Sequence, residues 1–355
     1  MSVAAEAPNA SAFLRNLWYR AAQASDVRSG RMLRRILLGE PVLLGRMPSG
    51  EAFALRDICP HRGVPLSSGR ICQDQTVECA YHGWRFAPDG TCQSIPSLVE
   101  GQDLEPARIR VRNYALQEQD GLLWIYMPAT GQENAVPAFD PPRVPLTVPA
   151  RPKLRETQTF RCAIDHAVVG LMDPAHGPFV HQAWYWRSRR SIHEKAKHFA
   201  PSPRGFSMVA HRPSSNSFAY RVLGGEVSTE IRFELPGVRF EHIRGGRTEV
   251  VGLTTCTPVD DETTEVTQTF YWNRGWLSLL KPAFRPLVRA FLGQDRAMVE
   301  LQREGLRFRP SLMLIRDADV PAMWYQRLKK AWTSSIESGE TFVNPVPEVT
   351  LKWRS

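Results

Sequence analysis

Cys59-Pro60-His61-Arg62-Gly63 and, with seventeen residues between His61 and Cys79, Cys79-Ala80-Tyr81-His82-Gly83-Trp84-Arg85-Phe86 form the stretch that decides the first half of the fold. It offers two thiols and two imidazoles in a staggered order, Cys-x-His and then Cys-x₂-His. Two thiolates suit one iron of a [2Fe-2S] cluster and two neutral imidazoles suit the other, a mixed set that raises the cluster potential above that of an all-cysteine one. A Cys₂His₂ zinc site is the alternative for the same four residues, although zinc sites usually pair like with like.

Around this stretch, from Leu33 to Met127, short apolar or alternating runs such as Ile36-Leu37-Leu38, Val42-Leu43-Leu44, Ala52-Phe53-Ala54-Leu55 and Leu122 to Tyr126 are broken by Gly, Pro and Asp. That punctuation predicts an all-β domain. Six prolines fall between Pro137 and Pro152; they resist both helix and central strand and predict a connector over 137–152, between domains at 1–136 and 153–355. The second domain reads as α+β, with a helical pattern around Cys162 to His176, strand-like alternation over about 205–273, and a helix-rich end from about 284.

A second motif lies in that domain: Leu171-Met172-Asp173-Pro174-Ala175-His176-Gly177-Pro178-Phe179-Val180-His181. Asp173 and His176 would share a helix face, but a straight helix carries His181 roughly 140° away from His176. Gly177 and Pro178 predict the break that returns the second imidazole. Two imidazoles and a carboxylate on one face, with positions left open, suit a mononuclear Fe(II) that meets O₂. Further on, Phe284, Leu287, Val288, Phe291, Met298 and Leu301 recur at helical spacing, and Asp295 falls on their face. A carboxylate there needs a partner such as iron. Glu300, Asp260, Asp261 and Glu262 are alternatives for the carboxylate. Asp165 and His166, upstream, read as partly exposed helix polar residues.

The two loops resemble those of Rieske non-haem iron oxygenases, and Leu-Met-Asp-x₂-His-x₂-Phe-Val-His is similar to the vanillate demethylase and dicamba monooxygenase branch. Respiratory Rieske loops carry one further cysteine each; Val64 and Tyr81 stand there in this chain. The resemblance implies a β-rich Rieske domain followed by a helix-grip (START-like) catalytic domain. It implies Cys59, His61, Cys79 and His82 as cluster ligands and His176, His181 and Asp295 as iron ligands. Asp173 would bridge by hydrogen bonds to a cluster histidine of a neighbouring subunit in a trimeric ring. Electrons would come from an NAD(P)H-dependent reductase, directly or through a ferredoxin, and O₂ would be the co-substrate. Hydroxylation or oxidative demethylation of a small, ring-containing organic molecule is the activity implied; ring cis-dihydroxylation, or electron carriage without oxygenase activity, are the alternatives. One departure from the vanillate demethylase pattern is Gly170, where that branch has Asn.

Composition fits this reading. Of 355 residues 43% are hydrophobic and 23% charged, close to soluble globular averages. No apolar run reaches the roughly 18 residues of a membrane span, and the N-terminus does not read as a secretory signal, which predicts a cytoplasmic protein. The net charge of +9 has no nucleic-acid motif beside it. Arg187, Arg189, Arg190, Lys195 and Lys197, interleaved with Trp184 and Trp186, suit either an acidic electron donor, an anionic substrate or a solvated face. Cys72 and Cys92 read as small buried hydrophobes.

Overall fold

The computed structural model describes residues 13–182, 189–213 and 226–355. The chain divides into two compact units, Arg15–Arg143 and Val144–Ser355, with Phe13 and Leu14 grouped with the second. The change-over falls among the prolines of 137–152.

The first unit is built from ten strands: β1 (Leu17–Gln23), β2 (Arg31–Leu37), β3 (Glu40–Arg46), β4 (Ala52–Arg56), β5 (Arg70–Ile71), β6 (Val77–Glu78), β7 (Arg85–Phe86), β8 (Cys92–Ser94), β9 (Leu116–Gln119) and β10 (Leu122–Met127). They form three antiparallel sheets, ordered β1-β10-β9, β2-β3-β4 and β5-β6-β7-β8. Two-residue hairpin loops set the register. Leu38-Gly39 and Asp120-Gly121 take positive φ at both positions, the twist that matches two antiparallel strands. β10 lies between β1 and β9, and all six of its residues are buried, which is why it reads as an unbroken apolar run. Burying each of its larger side chains stabilises the unit by about 1.5–3 kcal/mol.

In the second unit β11 (Leu154–Phe160) leads to α1 (Ile164–Met172) and a single-turn α2 (Gly177–Val180). Six strands follow: β12 (Glu194–Ser202), β13 (Gly205–His211), β14 (Val227–Glu234), β15 (Val238–Gly245), β16 (Thr248–Asp260) and β17 (Thr263–Trp272). Then come α3 (Lys281–Leu306), α4 (Val320–Ser338) and β18 (Val349–Arg354). The eight strands make one antiparallel sheet, ordered β11-β17-β16-β15-β14-β13-β12-β18. α4 begins with Pro321 in its first turn, stops at Gly339 with φ of 73°, and buries Trp324, Tyr325, Leu328 and Trp332. Trp324 meets the Phe199 and Phe206 rings edge-on, fixing helix to sheet.

Three expectations change. The helix-rich end closes with a strand, β18, in which Val349, Leu351 and Trp353 alternate with polar residues and which pairs with β12. The stripe that α3 buries is Leu292, Asp295 and Val299, whereas Leu287, Met298 and Leu301 are exposed. Asp165 is buried, not partly exposed: its carboxylate accepts from Tyr325 and from Lys329 Nζ at 2.7 and 2.6 Å, joining α1 to α4. Gly170 has a packing reason, since a Cβ there would stand 3.3 Å from Val299 where α1 meets α3.

Candidate metal centres and cavity

In the first unit the two motif loops have one design. Cys59 N–H donates to Val64 O and Gly63 N–H to Cys59 O; Cys79 N–H donates to Trp84 O and Gly83 N–H to Cys79 O. Each loop turns at its glycine, with φ of 73° at Gly63 and 68° at Gly83. Cys59 and Cys79 point into an apolar cluster with Leu43, Phe53, Leu66 and Phe86. The His61 ring is exposed and lies 4.5 Å from the His82 ring and 4.8 Å, stacked, from Trp84. Burial, with Cys79 alongside, pushes the Cys59 thiol up to about 11. Such a pair gains from a metal that takes the thiolates, so the residues fit a cluster. Of the other cysteines nearby, Cys92 is buried, while Cys72 is partly exposed and its thiol lies 3.7 Å from Glu78.

In the second unit the chain breaks one step earlier than the sequence suggests. α1 stops at Met172; Asp173 is extended, with φ of −63° and ψ of 116°, as the residue before Pro174 favours. Asp173 and His176 therefore share no helix. Asp173 instead accepts the Ala175 N–H, and its other oxygen lies 3.6 Å from His176 Nδ1. Gly177 and Pro178 do not interrupt a helix but begin α2, where Pro178 sits in the first turn. His176 and His181 flank α2, and this brings their Nε2 atoms to 3.1 Å.

Asp295 reaches them from α3. Its Oδ1 lies 3.0 Å from His181 Nε2 and 3.6 Å from His176 Nε2. One ligand atom from each of His176, His181 and Asp295 falls within 4.8 Å of the others. Gln294 Oε1 is 3.0 Å from His181 Nδ1, so that nitrogen carries the proton and Nε2 presents a lone pair to the other two groups. The Phe291 ring stacks on His181 with centroids 3.6 Å apart. Burial opposes charge on Asp173, but His176 and the Ala175 N–H outweigh it and hold the carboxyl below its ordinary value. Burial likewise opposes charge on His176, yet Asp173 and Asp295 raise it. His176 Nδ1 is buried, and the Asp173 carboxylate at 3.6 Å is the acid that faces it. Converging lone pairs of two imidazoles and a carboxylate fit a divalent cation better than they fit each other. The alternative acids stand elsewhere: Glu300 accepts the Arg161 N–H, Glu262 pairs with Arg303, and Asp260 accepts the Glu262 N–H.

The three residues are among those that line a cavity of about 450 Å³ whose walls are mostly apolar, with Phe206, Met208, Ile231, Phe270 and Trp272 also there. Sequence reasoning gave Gln294 no role beyond its place beside Asp295. It also missed Arg239 and Glu241, which line the cavity from β15. Lys195 and Lys197 of the basic stretch face the cavity, whereas Arg189 and Arg190 are exposed. Trp184, Trp186 and Arg187 lie outside the described residues.

A pair of Cys/His loops in one unit and a two-histidine, one-carboxylate face on a cavity in the other are the combination expected of a non-haem iron oxygenase with a Rieske centre. The chain matches the Rieske [2Fe-2S] domain over residues 17–115 and the vanillate O-demethylase oxygenase C-terminal domain over 160–335. It belongs to the Rieske non-haem iron oxygenases, which use a [2Fe-2S] cluster, a mononuclear iron and O₂. It is 38% identical over 173 residues to the oxygenase component of dicamba O-demethylase from Stenotrophomonas maltophilia, 48% of each chain. It is 38% identical over 122 residues to the iron-sulfur subunit of the toluene-4-sulfonate monooxygenase system of Comamonas testosteroni, 34% of each chain. These alignments take in about half or less of each curated relative. A crystal structure of dicamba monooxygenase bound to dicamba shares the fold, with a TM-score of 0.71 and 22% identity over 93% of this chain and 100% of that one. Among the described residues no helix is long and apolar enough to cross a membrane.

Proposed function

We propose that the chain is the terminal oxygenase of a multicomponent system in the cytoplasm. It takes electrons from an NAD(P)H-dependent reductase, directly or through a ferredoxin, and hydroxylates or oxidatively demethylates a small ring-containing substrate. One observation carries this: His176, His181 and Asp295 converge within 4.8 Å at the wall of an apolar cavity large enough for such a molecule. Cys59, His61, Cys79 and His82 would hold the cluster, and His176, His181 and Asp295 the mononuclear iron, which when bound supplies open positions for O₂ beside the substrate. Gln294 fixes the His181 tautomer, Phe291 limits the ring's rotation, and the mostly apolar walls limit water beside these groups. Asp173 would orient His176 and bridge to a cluster histidine of a neighbouring copy in a ring of three.

The test is iron and acid-labile sulfide per chain in anaerobically purified protein, with ultraviolet-visible and EPR spectra. The expected result is about three iron and two sulfide, falling to about two and two in His176→Ala/His181→Ala with the cluster spectrum unchanged. Two iron in both proteins, with no third restored by added Fe(II), would leave an electron carrier.

A further inference from the structure

One side chain braces the two cysteine-histidine loops across to each other. Trp84 belongs to the second loop, which its carbonyl closes by accepting the Cys79 N–H. Its ring, however, lies over the imidazole of the first loop, His61, with centroids 4.8 Å and planes 6° apart. The same ring packs against the apolar cluster that contains Cys59 and Cys79. Its indole Nε1 is buried and meets no acceptor among the described residues. Trp18, in the same unit, shows the ordinary arrangement, donating to Phe139 O at 2.7 Å. Trp124 Nε1, on β10, also lacks a partner; what distinguishes Trp84 is the imidazole it stacks on. A buried N–H without an acceptor is costly and uncommon. The acceptors that these loops gain on loading are sulfurs, the bridging sulfides and the thiolates of Cys59 and Cys79.

We propose that the Trp84 N–H donates to a sulfur of the bound cluster and so sets its reduction potential, while the indole ring fixes the plane of His61. The proposal rests on Cys59, His61, Cys79 and His82 being the cluster ligands. Reduction adds one negative charge to the cluster, and an N–H aimed at a sulfur stabilises the reduced form more than the oxidised one. Loss of the donor therefore lowers the potential.

Redox titration of the anaerobically purified full chain, followed through the cluster absorbance and its EPR signal, tests this without substrate or turnover. Trp84→Phe keeps a ring over His61 and loses the N–H. Its reduction equilibrium is expected to shift about tenfold toward the oxidised form, about 59 mV for one electron. Trp84→Leu, which loses ring and donor together, should fall at least as far. Pulsed EPR of the reduced wild-type protein, labelled with indole-¹⁵N tryptophan, should show a weak ¹⁵N coupling that Trp84→Phe abolishes. A wild-type potential in Trp84→Phe, a drop confined to Trp84→Leu, or no indole coupling would each overturn the proposal. If Trp84→Leu does not load, Trp84→Phe alone decides. A wild-type chain with no [2Fe-2S] signal would sink the ligand assignment itself, an outcome distinct from a cluster that is present and unmoved by Trp84→Phe.

Discussion

The loops around Cys59 and Cys79 and the helices around His176 and Asp295 build the two proposed metal sites by different means. The loops are two copies of one short turn, each closed by its own backbone hydrogen bonds, with the thiols inward and the imidazoles outward. The second site draws its carboxylate from a helix far along the chain, and its geometry depends on α1 and α2 each packing against α3. A local site depends on turn chemistry; an assembled one depends on tertiary packing.

The largest test of that difference is removal of a ligand. Cys79→Ala is expected to abolish the cluster and its absorbance while the mononuclear site still takes up about one iron per chain, measured by iron analysis after anaerobic reconstitution. Loss of both metals together would mean that the two sites are not independent.

Packing gives the next test. Lys329 and Tyr325 of α4 hold Asp165 of α1, a contact that includes none of His176, His181 and Asp295. Lys329→Met leaves a buried carboxylate short of its cation, and breaking such a pair costs about 3–5 kcal/mol. In thermal unfolding, protein fluorescence should report an earlier transition, and Fe(II) uptake at the mononuclear site should weaken, while the cluster absorbance is retained to its wild-type temperature. An equal shift of both signals would erase the distinction drawn between the sites.

A smaller effect is expected at Gln294. Replacing it with Leu frees the His181 tautomer, and loss of such a supporting partner typically lowers metal affinity about 10- to 100-fold. Titration with Fe(II) reads this directly, and wild-type affinity in Gln294→Leu would remove Gln294 from the site.

The same contrast explains what the residue order discloses. The loops are legible because their ligands, glycines and flanking strands all lie within Cys59 to Phe86. His176 and His181 are legible as a pair, but the placement of the break is not, because Pro174 and Pro178 carry the same local signal and only packing selects a new helix at Gly177. Asp295 is readable from its helix face, although Met298 and Leu301, assigned to that face by period alone, are exposed. Arg239 and Glu241 alternate with Val238, Phe240 and His242, a pattern that ordinarily turns charge to water. Here the opposite face of β15 is buried too, and the charged face meets a cavity. A hollow core is invisible to a rule that knows only inside and outside.

The smallest expected effect lies in the first unit, where Glu40 gathers Arg15, Arg112 and Tyr114 at 2.6, 3.1 and 2.7 Å. Burial pushes its carboxyl up, but the Tyr114 hydroxyl and the two guanidinium groups more than offset that and hold it below its ordinary value of 4.5. The folded unit therefore prefers the ionised form. Its contribution is complete well above pH 4.5 and drains away as pH falls through the lower, folded-state value. Glu40→Gln should lower stability by about 1–2 kcal/mol at pH 7, the scale of hydrogen bonds to a charged group. It should also narrow the gap to wild type progressively below pH 4.5. Denaturant unfolding followed through the cluster absorbance at pH 7 and pH 4 checks both statements. Because Glu40 lies in the unit of the loops, Fe(II) affinity at the mononuclear site should stay at the wild-type value, and a gap that does not shrink on acidification would place the effect of Glu40 in packing rather than charge.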